Sequence, residues 1–107
     1  MEHSTHMNMI QQQNEQDVLG SMLFSGNMTL ALLNDLTPYD FMYKEHSAVY
    51  KAMNDIQSYG KFNPEDLLES EQVERGKDIL NLMSDCVDSN ISTKCKWIHA
   101  RSIVRNS

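Results

Sequence analysis

Residues 37–53 read TPYDFMYKEHSAVYKAM, and this stretch determines the expected fold. Thr37, Pro38 and Asp40 form a helix start signal, because threonine caps a helix, proline fits its first turn, and an acid favours its positive N-terminus. The apolar residues that follow recur at helical spacing. They are Val49, Tyr50, Met53 and Ile56. The stretch therefore predicts an amphipathic helix over residues 44–59.

Helical patterns also flank this stretch on both sides. An apolar stripe over residues 18–23 predicts a first helix that begins near Asn14 or Gln16. Asn27 is expected to cap a short second helix, and Asn63-Pro64 forms another start signal. The second helix is expected to bury Met28, Leu30, Leu32, Leu33 and Leu36. Because sustained two-residue alternation is absent from the sequence, we predict an all-α fold.

The last third of the chain predicts an antiparallel helical hairpin that turns at residues 88–90. Apolar residues recur at helical spacing on both sides of this turn. The expected architecture is therefore a small helical bundle followed by a C-terminal antiparallel helical hairpin. Within one domain, we expect a disordered leader over 1–12, a globular helical half over 13–70 and the hairpin over 71–106.

The net charge of −6 is unevenly distributed, which the hairpin would explain. Residues 1–89 hold all 15 acids and five bases, whereas residues 90–107 hold four bases and no acid. A hairpin with its turn near residue 89 brings acids and bases to facing positions. The predicted register pairs are Asp85 with Lys94, Asp78 with Arg101, and Glu74 with Arg105. A surface for nucleic acid or an acidic partner is the alternative explanation for the basic last helix.

The sequence offers no motif for catalysis, for a cofactor or for a metal. Gly60-Lys61 and Gly76-Lys77 lack the Ser or Thr and the upstream glycine of a nucleotide-binding loop. Cys86 and Cys95 are expected to be core thiols, and His46 is expected to have a capping or packing role. An apolar run long enough to cross a bilayer is also absent from the sequence. We therefore expect a non-enzymatic protein without cofactor or membrane contact.

Four ordered segments resemble the N-terminal domain of DnaB-type replicative DNA helicases. They are Glu15-Gln16-Asp17-Val18-Leu19-Gly20-Ser21-Met22-Leu23, Leu36-Thr37-Pro38-Tyr39-Asp40-Phe41, His46-Ser47-Ala48-Val49-Tyr50-Lys51-Ala52-Met53 and Ala100-Arg101-Ser102-Ile103-Val104-Arg105. The resemblance spans roughly residues 15–105. It departs from the family after Gly60 and over residues 67–79, where the segment is shorter than usual.

The resemblance implies a non-catalytic collar domain of a hexameric, ATP-dependent helicase. The hairpin would pair with that of a neighbouring subunit, and three such dimers would form a collar that docks primase and the helicase loader. Nucleotide and magnesium would bind in a motor domain absent from this chain, and contact with DNA would be weak or indirect. The expected location is the cytoplasm of a bacterium or of a phage-infected cell. The residues expected to form the self-association interface are Ile79, Leu82, Met83, Cys86, Ile91, Cys95 and Ile98.

Two other functions fit the same residues. One is a free-standing helical regulator from a phage that binds the host helicase, loader or primase. The other is a DNA-binding module that uses the basic last helix, which would give steeply salt-dependent binding. A reading frame that continues past Ser107 into a motor domain would separate the collar domain from the free-standing regulator.

Overall fold

The computed structural model describes residues 2–69, 73 and 90–106. Within these ranges the backbone forms five α-helices, one 3-10 turn and no strand, which confirms the all-α prediction. The elements are α1 (Glu2–Ser25), α2 (Thr29–Leu33), the 3-10 turn η1 (Pro38–Asp40), α3 (Lys44–Ile56), α4 (Pro64–Leu68) and α5 (Ile91–Asn106). The first helix of the predicted hairpin lies outside the described residues.

Helix α1 begins much earlier than predicted, at Glu2 rather than near residue 14. The backbone is helical from Glu2 onward, and the leader over residues 1–12 stays a prediction. One hydrogen bond and one buried side chain connect this end to the body. The hydroxyl of Tyr43 donates to the carbonyl of Asn8 across 3.1 Å, and the side chain of Gln11 is buried.

The core lies where α1, α3 and α5 meet. Helix α1 contributes the predicted apolar stripe, and α3 contributes residues at the predicted helical spacing. The fully buried side chains of these three helices include Val18, Leu19, Val49, Tyr50, Met53, Cys95 and Ile98. Burying each large apolar side chain contributes about 1.5–3 kcal/mol, so this three-helix contact stabilises the fold substantially.

Two glycines allow the loops after α1 and α3 to lie against each other. Gly26 and Gly60 both have left-handed backbone, with φ values of 63° and 83°. The amide of Met28 donates to the carbonyl of Gly60 across 2.7 Å. The amide of Phe62 donates to the carbonyl of Gly26 across 2.9 Å. A side chain at Gly26 would lie 2.7 Å from the carbonyl oxygen of Phe62, and one at Gly60 would overlap Thr29. These positions therefore require glycine.

Helix α2 buries fewer residues than predicted. Met28 and Leu36 are in the core, but Leu30 and Leu33 are exposed, the latter at 73% of its surface. The prediction was wrong for these two leucines because a helix of one and a half turns covers the core with one face only. The start signals at Thr37-Pro38 and Asn63-Pro64 are confirmed by the positions of η1 and α4.

Helix α5 packs against α1, α2 and η1 of the same chain. Its residues at i, i+4, i+7 and i+11 face the core, and they are Ile91, Cys95, Ile98 and Ser102. The second helix of the predicted hairpin is thus part of the globular body. The boundary predicted at residue 71 stays a prediction.

We predict a large loss of stability at one isoleucine of α5 and little change at another. Ile98 is fully buried, whereas Ile103 is 59% exposed. Ile98→Ala should lower the free energy of unfolding by about 2–5 kcal/mol, since it leaves a cavity among α1, α3 and α5. Ile103→Ala, the matched control, should change it by less than about 1 kcal/mol. Urea unfolding followed by circular dichroism measures both, and equal effects would contradict this packing of α5.

Candidate interaction site and the polar junction beneath it

A buried carboxylate joins α1 to the start of α3. The Glu15 side chain is fully buried and accepts hydrogen bonds from the amide of Met42 at 2.8 Å and from Gln11 Nε2 at 2.5 Å. His46 Nδ1 lies 2.8 Å from the other carboxylate oxygen, with the amide of Tyr43 at 3.5 Å. Because a carboxylate offers only acceptors, Nδ1 is the ring nitrogen that carries hydrogen.

The spacing of apolar residues could have revealed this pair, which sequence reasoning missed. Glu15 precedes Val18 by three residues and so lies on the apolar face of α1, while His46 precedes Val49 by three residues on α3. Each residue thus lies one turn before the apolar residues that its helix contributes to the core. An acid and a histidine in these positions are expected to be buried together when α1 packs on α3. The packing role expected for His46 agrees with its burial.

A second buried acid, Asp40, joins η1 to α5. Its carboxylate accepts the amide of Thr37 at 2.7 Å, as expected for an acid that closes a capping box. The same carboxylate lies 3.3 Å from His99 Nδ1, and Arg105 donates to the carbonyl of Asp40 across 3.0 Å. The acid of the start signal therefore also holds the last helix against the body.

A third acid, Asp17, binds a basic residue of α5. Lys94 Nζ lies 2.5 Å from the Asp17 carboxylate, which also accepts a hydrogen bond from Gln13. Lys94 had been predicted to pair with Asp85. The predicted partners of Lys94, Arg101 and Arg105 all lie outside the described residues; they are Asp85, Asp78 and Glu74. The three register pairs stay predictions, and within the described ranges the body of the protein neutralises part of the basic helix.

The structure places three of the seven predicted interface residues in the core of one chain. Ile91, Cys95 and Ile98 are each exposed by 5% or less. They therefore face α1 and the core, and a second chain could reach them only if α5 left the body. The other four residues, Ile79, Leu82, Met83 and Cys86, lie outside the described residues.

Burial also changes the acid–base properties of two core side chains. Burial raises the pKa of the Cys95 thiol from 9.0 to about 11. Burial also raises the pKa of Tyr50 well above its ordinary value of 10, with smaller contributions from Cys95 and Asp40. The Tyr50 hydroxyl donates to the carbonyl of Leu36 across 2.6 Å. Both groups are therefore held in their protonated forms, and neither is activated as a nucleophile.

The outer face of α5 is an exposed surface that combines apolar and basic residues. Thr93, Lys96, Ala100 and Ile103 are all exposed along it. At its side, the Arg101 guanidinium lies 6.0 Å from the centre of the half-buried Trp97 ring. Other exposed apolar residues lie on α1 and α2, and they are Phe24, Leu30 and Leu33.

Searches for two other kinds of site were negative in the part of the chain that the structure describes. Three or more His, Cys, Asp or Glu side chains nowhere converge there as metal ligands would. The helices in the same ranges are also too short or too polar to span a membrane.

Comparison with known proteins gives one match. The model of a family described as the DnaB-like helicase N-terminal domain matches residues 7–100. Neither a curated protein nor a solved structure matches the chain.

We predict that the Glu15 junction is a main determinant of stability. Glu15→Gln should lower the free energy of unfolding by about 1–3 kcal/mol. The side-chain nitrogen of the glutamine would face either the Met42 amide or His46, and both groups of each such pair would be hydrogen-bond donors. Glu45→Gln, an exposed position on α3, is the matched control and should shift it by less than about 0.5 kcal/mol. Chemical unfolding of both variants tests this, and a Glu15→Gln protein as stable as the control would refute it.

We also predict that Cys95 is unreactive in the folded protein. At pH 8, the rise in its pKa from 9.0 to about 11 should slow alkylation by iodoacetamide roughly a hundredfold relative to the unfolded chain. A Cys86→Ser background leaves Cys95 as the one thiol of the chain, so mass spectrometry reports on it alone.

The same rise in pKa has a consequence for stability. Protonated Cys95 contributes fully to the free energy of unfolding below pH 9. This contribution is lost as the pH rises towards 11, because the thiol ionises at lower pH in the unfolded chain than in the folded one. Stability should therefore fall over this range, and Cys95→Ala should make the fall shallower. Rapid alkylation of the folded protein would show that the Cys95 thiol is not buried between α5 and the body.

Proposed function

We propose that this chain, which belongs to the family of DnaB-like helicase N-terminal domains, acts as a non-catalytic collar domain of a hexameric replicative helicase. In this role it mediates association between subunits and docks primase or the helicase loader during DNA replication. The family match over residues 7–100 is the observation that carries the proposal, since it includes most of every described helix.

The structural role of three buried polar side chains supports a binding function for this domain. Glu15, Asp40 and His46, which belong to the segments that resemble the family, are engaged in contacts between elements of the body. These side chains use their hydrogen-bonding groups in contacts that stabilise the fold. We therefore expect the exposed surface of the domain to carry its binding function. Nucleotide and magnesium would be bound by the motor domain of the parent helicase, which would work in the cytoplasm of a bacterium or an infected cell.

Self-association is proposed to use the apolar residues before residue 90. These are Ile79, Leu82, Met83 and Cys86, because Ile91, Cys95 and Ile98 are occupied in the core. A dimer formed in this way would be the unit from which a three-dimer collar is built. Contact of the collar with DNA would be weak or indirect, since the chain carries a net charge of −6.

The test is the oligomeric state of the chain and of one charged variant. Sedimentation velocity over a concentration series should show a dimer or larger species, and Met83→Glu should weaken assembly about tenfold or more, because a charge at an apolar interface loses its hydration. Met9→Glu replaces an exposed methionine of α1 and should leave assembly unchanged.

Circular dichroism melting of both variants separates assembly from folding. A strictly monomeric chain at high concentration, or a Met83→Glu protein that assembles as the parent does, would contradict the proposed self-association. A charge at Ile98 would not serve as a second assembly variant, because Ile98 is fully buried and a charge there should unfold the body.

A further inference from the structure

Helix α5 has two stripes of residues on opposite sides. One stripe, from Ile91 to Ser102, faces the core. The other consists of Thr93, Lys96, Ala100 and Ile103, all exposed. We refer to these four residues as the outer stripe. Their spacing of three, four and three residues is the spacing with which one helix meets another along a shared seam.

The residues of the outer stripe suit contact with a helix. Ala100 lies near its middle and has a small side chain, which lets two helix axes approach to about 8 Å. Ile103 is 59% exposed and supplies the apolar side chain that a partner would bury. The half-buried Trp97 forms one edge of the stripe and extends its apolar surface.

The charge of α5 selects the kind of helix that fits. Its bases are Lys94, Lys96, Arg101 and Arg105, and the helix contains no acid. Lys94 reaches Asp17 and Arg105 reaches the Asp40 carbonyl, both on the body side of α5. Lys96 lies within the outer stripe, and Arg101 lies beside it over Trp97. The outer side of α5 is therefore positive as well as partly apolar.

We propose that the outer stripe of α5 is a docking site for one acidic amphipathic helix of a partner protein. This inference rests on the proposed function and deepens it, because it assigns the docking role to a surface and states the chemistry of the partner. Leucines or similar residues of that helix would cover Ala100 and Ile103, and flanking glutamates or aspartates would pair with Lys96 and Arg101.

Charge and shape favour this occupant over two others. A second α5 would bring the same bases and no acid against Lys96 and Arg101, so like charges would oppose the contact. A nucleic acid would satisfy the bases but would leave Ile103 in water, since phosphates gain nothing from an isoleucine. Both occupants are outcomes that the experiment below separates.

The experiment uses the full chain, labelled with nitrogen-15, and two synthetic helical peptides. Both peptides carry leucines at seam spacing, and they differ only in having glutamates or lysines beside the seam. Titration followed by nuclear magnetic resonance should show amide shifts centred on residues 93–103 with the glutamate peptide. This peptide should bind about tenfold more tightly than its lysine twin, and the difference should shrink at high salt.

Three variants test the assignment. Ile103→Gln should weaken binding of the glutamate peptide about tenfold, and the double variant Lys96→Glu, Arg101→Glu should reverse the preference between the peptides. Leu33→Gln replaces another exposed apolar residue, on α2, and should leave binding unchanged. The altered positions lie outside the core, and the double variant gives a gain of binding that unfolding could not mimic.

Several results would overturn the proposal. They are equal binding of the two peptides, shifts centred on Phe24 and Leu33, tighter binding of a single-stranded oligonucleotide than of the glutamate peptide, and a dimer of the chain that Ile103→Gln abolishes. The sedimentation test of the proposed function depends on Met83 and not on Ile103. If only the outer stripe fails its test, the proposed collar role still stands. A monomeric chain that binds the glutamate peptide would contradict the proposed self-association but support the outer stripe as a docking site.

Discussion

The buried carboxylate of Glu15 is the interaction on which the rest of the structure depends. It enters from α1 and accepts the amides that precede α3, where the helix dipole makes negative charge favourable. One side chain thus accepts backbone donors that precede another helix and, through His46, joins α1 to α3. A buried charge is tolerated only when several donors surround it, and here the donors come from three parts of the chain. The geometry of the core follows from that requirement.

The helix boundaries that local residues determine could be predicted, and those that depend on distant contacts could not. Thr37 and Asn63 mark helix starts because a cap and the proline after it act within a few residues. The start of α1 was missed because contacts such as that from Tyr43 to Asn8 join residues far apart in sequence. The exposure of Leu33 was missed because periodicity does not state how many faces of a short helix are covered.

The candidate site was predictable to a similar degree. The segments that resemble the family could be recognised from sequence, but their role in a buried polar junction requires the packing of α1 on α3. Charge counting identified the basic last helix correctly. It did not reveal that Lys94 reaches Asp17, since an acid far away in sequence competes with nearby acids once the chain is folded. The spacing of apolar residues on α5 likewise did not show whether a face of this helix packs in the core of its own chain or binds another chain.

The packing of α5 against α1 has a consequence for how the protein is made. These helices come from opposite ends of the described chain, so the last helix completes a core that the first helix began. A ribosome releases residues in order, and a nascent chain that lacks α5 leaves the apolar side of α1 uncovered. Closure of the core must therefore wait until Ile98 has left the exit tunnel. Nascent chains without α5 are therefore the species that chaperones would meet.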